Sequence, residues 1–174
     1  GGINIMPIYD NYKAEALIAE AAKKSVRTII IIGPPDSGKS TLADALFAVA
    51  SQRWKHIGLI DEDIGQARLG LPGCIWGAIR THDRTQVVCG AFVGSLTTAG
   101  LETAFVAAVI KTKTWLESKG ANIIIMDSPG FVFGSQAALL HKQQVSLLRP
   151  DWILALESTN TLSPLLTHIG FPSI

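Results

Sequence analysis

Lys39-Ser40 closes the segment Gly33-Pro34-Pro35-Asp36-Ser37-Gly38, and three acidic residues, Asp61, Asp63 and Asp127, follow apolar runs further along. A cation, a hydroxyl and several carboxylates are the groups needed to hold a polyphosphate with a divalent metal and to move a proton during phosphoryl transfer. The first segment fits G-x-x-x-x-G-K-[ST] and comes directly after Thr28-Ile29-Ile30-Ile31-Ile32. In such a loop, glycines let successive backbone N–H groups close around phosphates, and the helix that follows directs the positive end of its dipole at them. Residues Gly33 to Thr41 are therefore expected to bind a nucleoside triphosphate, with Lys39 on the β- and γ-phosphates and Ser40 on Mg²⁺.

The acidic residues have the complementary chemistry. Asp61 and Asp63 follow the apolar run 57–60, and alternate residues of an extended segment share a face. One would hold Mg²⁺ while the other accepts a proton from an attacking hydroxyl, and spacing alone does not say which. Asp127-Ser128-Pro129-Gly130, after the run 123–126, has the form of a second phosphate-sensing segment, with Asp127 as a further metal ligand. No Asn-Lys-x-Asp follows to read guanine, so ATP is the expected nucleotide, with GTP the alternative.

These residues need a scaffold that puts them at one end of a sheet. Apolar spacing predicts a helix over residues 10–25, with Asp10 as its N-cap, then a strand over 27–32, the loop, and a helix over 39–52. A strand over 57–60 precedes a glycine-punctuated region whose runs 74–76 and 87–89 suggest peripheral strands and a hairpin. Helix 101–118 stops at Gly120, strand 122–126 leads into Asp127, and helix 135–148 precedes a last strand over 152–156. Strands alternating with helices specify an α/β fold, a mostly parallel sheet with helices on both faces, and ligands of such sheets sit at the carboxyl ends of the strands.

Composition narrows the class. The 174 residues, 48% of them hydrophobic, suit a single domain over residues 1–174, and a mean hydropathy of +0.32 fits strands buried on both faces. The net charge of +1 is not that of a strongly basic nucleic-acid binder, so a polynucleotide would need a local groove. No apolar run is long enough to cross a bilayer and no signal sequence is visible, which makes a cytoplasmic location the expectation, or a nuclear one in a eukaryote. Cys74 and Cys89 lie in apolar contexts without metal-ligand spacing, and the four histidines form no metal pattern. Trp54, Trp76, Trp115 and Trp152 read as core or interface residues, and Arg80, His82 and Arg84 as a solvated hairpin.

Five ordered motifs together resemble the polynucleotide 5′-hydroxyl kinase family, which includes the kinase of the pre-mRNA cleavage complex, the pre-ribosomal RNA processing kinase and archaeal relatives. The loop is similar to its GPxDSGKS. Asp61-Glu62-Asp63-Ile64-Gly65-Gln66, with Gly70-Leu71-Pro72-Gly73 after it, is similar to D-x-D-x-G-Q followed by G-x-P-G. Phe92-Val93-Gly94-Ser95-Leu96-Thr97-Thr98 resembles F-V-G-S-T-S-P, Asp127-Ser128-Pro129-Gly130-Phe131 resembles D-T-P-G-W, and Arg149-Pro150-Asp151 resembles K-P-D. The resemblance implies transfer of the γ-phosphoryl group of ATP to the 5′-hydroxyl end of RNA or DNA, and RNA-processing proteins as partners. It implies Asp63 as the base, with Asp61 the competing choice, and Gln66 near the metal or the substrate end. Thr97 and Thr98 would hold the first phosphodiester, and Phe131 would stand where the family's tryptophan packs a terminal base.

The chain departs from the pattern at Leu96-Thr97-Thr98 and at Phe131, and it has no arginine after Glu157, where the family carries a lid. A C-terminal side shortened by a lid or a further domain is the corresponding expectation. Two other functions fit the same loop: an ATP-bound assembly factor that does not turn over, and a nucleotide-switch NTPase that uses Asp127 to Gly130 as its sensor.

Overall fold

The computed structural model describes residues 3–8, 13–81, 84–157 and 160–169. Its organising element is β2 (Thr28–Ile32), five residues that are all buried. Four consecutive isoleucines are β-branched and stiff, so they favour an extended chain, and burial of every position requires cover on both faces. Helices supply that cover on each face, while within the sheet the strand is flanked by parallel neighbours, β6 (Ile123–Asp127) and β7 (Trp152–Leu156). The seven strands lie in the order β1-β7-β2-β6-β3-β4-β5, where β1 is Asn4–Ile8, β3 Ile57–Asp61, β4 Cys74–Arg80 and β5 Thr85–Phe92. The first five of these are parallel, whereas β4 and β5 run antiparallel as an edge hairpin.

Alternation along the strands divides the interior into two cores. Ile29 and Ile31 of β2, with Ile123, Ile125 and Leu154, pack on one face against α1 (Ala14–Lys23) and α2 (Lys39–Ala50) through Ile18, Ala21, Leu42 and Leu46. Ile30 and Ile32, with Ile124, Met126 and Ile153, pack on the other face. There they meet α3 (Glu102–Ser118), α4 (Ser135–Leu148) and α5 (Ser163–His168) through Phe105, Val109, Leu140 and Leu165.

Most predicted elements occur within a few residues of their expected bounds. The first helix starts at Ala14 rather than at residue 10, and Asp10 lies outside the described residues. Two elements had no counterpart in the sequence reading. Strand β1 carries Pro7, which weakens any strand signal but is tolerated on an edge, where β1 pairs only with β7. Helix α5 spans six residues, too few to display a helical period. Trp152 is buried in the core, and Trp54 and Trp115 are half-buried beside it. The Trp76 indole is also half-buried, and it donates to the Leu71 carbonyl at 2.8 Å. Arg80 and Arg84 are exposed, and His82 lies outside the described residues, as does the Cys89 side chain.

Candidate active site

The carboxyl ends of β2, β3 and β6 meet on the same edge of the sheet, with Asp61 in register with Asp127 and Asp127 in register with Ile31. Sequence-distant loops are thereby brought together around a cleft of about 770 Å³. Pro35, Asp36, Gly38, Lys39, Ser40 and Thr41 line one side. Asp63, Gln66, Thr97, Thr98 and Phe131 line the other, with Pro129 and Gly130 between.

The first side is built by backbone. Asp36 and Gly38 take positive φ angles of 59° and 88°, which turns the chain sharply before α2 begins at Lys39. Gly33 has no room for a side chain: a Cβ there would lie 2.5 Å from the Ser37 hydroxyl and 2.9 Å from the Leu156 carbonyl. Gly130 brings the segment after β6 so near that its Cβ would stand 3.1 Å from the Pro35 nitrogen. Lys39 is buried, and its Nζ donates to the Pro34 carbonyl at 3.0 Å. Burial lowers its pKa, and Asp127, Asp63 and Asp36 offset only part of that effect. A buried ammonium held by a neutral carbonyl is a ready partner for an anionic phosphate, since charge-assisted hydrogen bonds are roughly twice as strong.

Ser40 and Asp127 tie the start of α2 to the end of β6. The Ser40 hydroxyl donates to Asp127 Oδ2 at 2.7 Å, and the Arg68 guanidinium donates to the same oxygen at 3.0 Å. Arg68 also donates to Asp44 at 2.8 Å. Asp127 Oδ1 is buried and unpartnered among the described residues. Burial pushes the Asp127 carboxyl up, while Ser40, Arg68 and Lys39 pull it back. A serine hydroxyl beside a buried carboxylate with one unengaged oxygen is an oxygen donor set suited to Mg²⁺.

Asp61 and Asp63 occupy different surroundings. Strand β3 ends at Asp61, so the alternation that would aim both carboxylates the same way does not continue to Asp63. Asp61 is buried, and its two oxygens accept backbone N–H groups of Asp63 at 3.1 Å, Arg68 at 2.7 Å and Leu69 at 3.3 Å. It shapes the loop and does not line the cleft. Asp63 is half-buried and lines it; one oxygen accepts from Gly65 at 3.1 Å and Gln66 at 2.9 Å. Thr98 is buried at the cleft and Thr97 is exposed, while Phe131 lines the cleft with part of its ring against the core. Gly33, Pro34, Ser37 and Asp127 stand behind the lining rather than in it.

This combination of a closed phosphate loop and its serine–aspartate pair agrees with a direct comparison of sequences. The sequence model of the P-loop of the mRNA cleavage and polyadenylation factor CLP1 matches residues 33–171. The chain belongs to the CLP1 P-loop family. A polyribonucleotide 5′-hydroxyl-kinase of Pyrococcus horikoshii is 31% identical over 170 residues, covering 95% of this chain and 45% of the relative. One from Methanocaldococcus jannaschii is 32% identical over 165 residues, covering 90% and 44%. The chain thus spans less than half the length of these relatives. Wild-type Clp1p solved in complex with Pcf11p superposes with a TM-score of 0.72 over 90% of this chain and 44% of the other, at 16% identity, which shows a shared P-loop fold. Among the described residues no helix is long and apolar enough to cross a membrane.

Four polar residues at this CLP1-type site were not singled out by sequence reasoning. Arg68 follows Asp63 by five positions in an irregular loop, and nothing in its spacing announces a partner on β6. Glu62 is fully buried between Asp61 and Asp63, and the Gln144 side-chain amide donates to it. Burial, with Asp127 and Asp61 nearby, pushes the Glu62 carboxyl up to about 8 against the opposing Gln144 bond. His141 is fully buried, one turn before Gln144, and its Nε2 lies 3.0 Å from the Phe131 carbonyl. Burial holds the ring neutral, with its pKa lowered to about 4, so Nε2 carries the proton that the carbonyl accepts. The available signal was the i, i+3 pair His141 and Gln144 on the core-facing stripe of α4, where apolar residues are the rule.

Proposed function

We propose that this domain binds ATP with Mg²⁺ and transfers the γ-phosphoryl group to the 5′-hydroxyl end of a polynucleotide, RNA before DNA. The observation that carries this reading is the two-sided cleft, with Lys39 and Ser40 on one side and the Asp63 carboxylate on the other. The relatives named as polyribonucleotide 5′-hydroxyl-kinases support the acceptor class. Lys39 and the loop N–H groups bind the phosphates and offset their charge. Ser40 and Asp127 would hold Mg²⁺, which when bound neutralises charge on the β- and γ-phosphates. Asp61, whose oxygens are engaged by three N–H groups, acts in this reading by fixing the loop. Asp63 accepts the 5′-hydroxyl proton as that oxygen bonds to the γ-phosphorus and the bond to the bridging oxygen of ADP breaks. Thr97, Thr98 and Gln66 position the acceptor's first phosphodiester, and Phe131 offers a ring face to its terminal base, a contact tolerant of sequence.

The test is transfer of labelled γ-phosphate from ATP, with Mg²⁺, to matched 5′-hydroxyl RNA and DNA oligonucleotides. Label on the oligonucleotide that is lost in Lys39→Ala and Asp63→Asn supports the kinase, and the RNA-to-DNA ratio gives the preference. ATP binding without transfer would point instead to an assembly factor, a reading favoured by the structural neighbour having been solved in a complex with another protein. Phosphate release without an acceptor would point to a nucleotide switch.

A further inference from the structure

Glu62, Gln144 and His141 come from two elements and are each completely buried, and Gln144 donates to Glu62 across the gap between those elements. Their links run in one direction. Glu62 belongs to the turn that carries Asp63, and its backbone N–H donates to the Asp127 carbonyl at 3.1 Å. Its side chain accepts from Gln144 on α4, and His141, one turn earlier on the same helix, holds the Phe131 carbonyl. Two of the segments that line the proposed acceptor side, the Asp63 turn and the Phe131 segment, leave the paired strands β3 and β6 and lie beyond the last paired residues, Asp61 and Asp127. Buried polar groups cost stability unless they are paired, and this set keeps Glu62 Oε1, Gln144 Oε1 and His141 Nδ1 unpartnered among the described residues. An apolar triad would close the same space without that cost, so the polar one invites a role in geometry.

We propose that Glu62, Gln144 and His141 are positioning residues that hold the Asp63 turn and the Phe131 segment in fixed relation through α4, and so set the geometry of the acceptor half of the cleft. The proposal deepens the kinase reading and rests on it for its kinetic part only. Among the described residues the phosphate loop makes no hydrogen bond to the side chains of this set, so the expected effect on nucleotide binding is smaller than that on the acceptor.

Gln144→Leu, which keeps volume and removes the bridge, and His141→Leu are to be compared with the conservative Glu62→Gln and His141→Gln in the full chain. Two readouts are used: kcat and KM for ATP and for a 5′-hydroxyl oligonucleotide separately, and hydrogen–deuterium exchange of the peptides over residues 61–69 and 128–134. The expected result for Gln144→Leu is faster exchange in both peptides. Its oligonucleotide kcat/KM falls by up to about tenfold, the value of one net hydrogen bond, with a smaller change in KM for ATP. His141→Leu loosens residues 128–134 chiefly and raises the oligonucleotide KM, and His141→Gln restores both. Unchanged exchange in either peptide of folded Gln144→Leu overturns the proposal, as does a loss shared equally by ATP and oligonucleotide. If Gln144→Leu does not fold, the His141→Leu and His141→Gln pair decides on the same criteria. Absence of labelled product from the unaltered chain would sink the kinase reading instead, and the exchange data would still decide the coupling.

Discussion

The two sides of the cleft are made of different material. The phosphate side is backbone held by local rules: glycines at positions where a Cβ has no room or φ is positive, and a helix that starts where the loop ends. The proposed acceptor side is held by side chains: Asp63 on a turn braced by the Asp61 carboxylate, and Phe131 on a segment anchored from α4 by His141. Local geometry tolerates little variation, because a misplaced atom in a tight loop has nowhere to go. Side-chain bracing tolerates more, since several contacts share the task.

The sharpest break between the two sides is Asp63→Asn. It removes the proposed base without touching the phosphate loop, so transfer should fall about 10²- to 10⁴-fold while ATP binding, followed by calorimetry, stays at its original strength. Equal loss of both would mean that the sides are not separable.

Asp61→Ala sets bracing against chemistry on the same loop. Three backbone N–H groups lose a charged acceptor, which should cost about 3 kcal/mol or more, read as a drop in the thermal midpoint. An unchanged midpoint with lost activity would instead make Asp61 a direct participant.

Phe131→Ala concerns the acceptor side alone. The oligonucleotide KM should rise by the equivalent of about 1–3 kcal/mol of base stacking, and Phe131→Trp should preserve or strengthen binding. An unaltered KM in the alanine variant would leave the ring as packing.

The smallest effect separates the two buried titratable groups behind the acceptor side. His141 has a folded pKa near 4, below its ordinary 6.5, so its contribution is present above 6.5 and is lost as pH falls toward 4. Glu62, near 8 in the folded state against 4.5, behaves oppositely: its contribution is complete below 4.5 and is lost as pH rises through 8. Of these two groups only Glu62 still changes above pH 6.5, and its term lowers the thermal midpoint as pH rises from 6.5 through 8. In Glu62→Gln that decline should flatten by about 2–4 °C for each kcal/mol removed. Parallel profiles for the two proteins would show that Glu62 is ionised throughout.

The sequence by itself determined the phosphate side and the strands that lead into it. Gly33, Gly38, Lys39 and Ser40 are neighbours in the chain, and their conformation follows from local sterics, so spacing carries the information. The isoleucine run 29–32 and the runs 57–60 and 123–126 announced central strands, because continuous burial leaves a continuous apolar mark. Strand β1, as long as β2 but mostly part-exposed and interrupted by Pro7, and the six-residue helix α5 were illegible for the converse reason, being placed by pairing or packing rather than by pattern. Only the tertiary structure decided which of Asp61 and Asp63 faces the cleft, because the choice turns on three N–H groups that close around Asp61 once the loop has folded. It alone placed Arg68 and Ser40 on the same oxygen of Asp127, 59 and 87 positions away, and joined Glu62 to Gln144 across 82. Contacts of that span depend on which strands pair, and strand pairing leaves no local trace in the residues that it brings together.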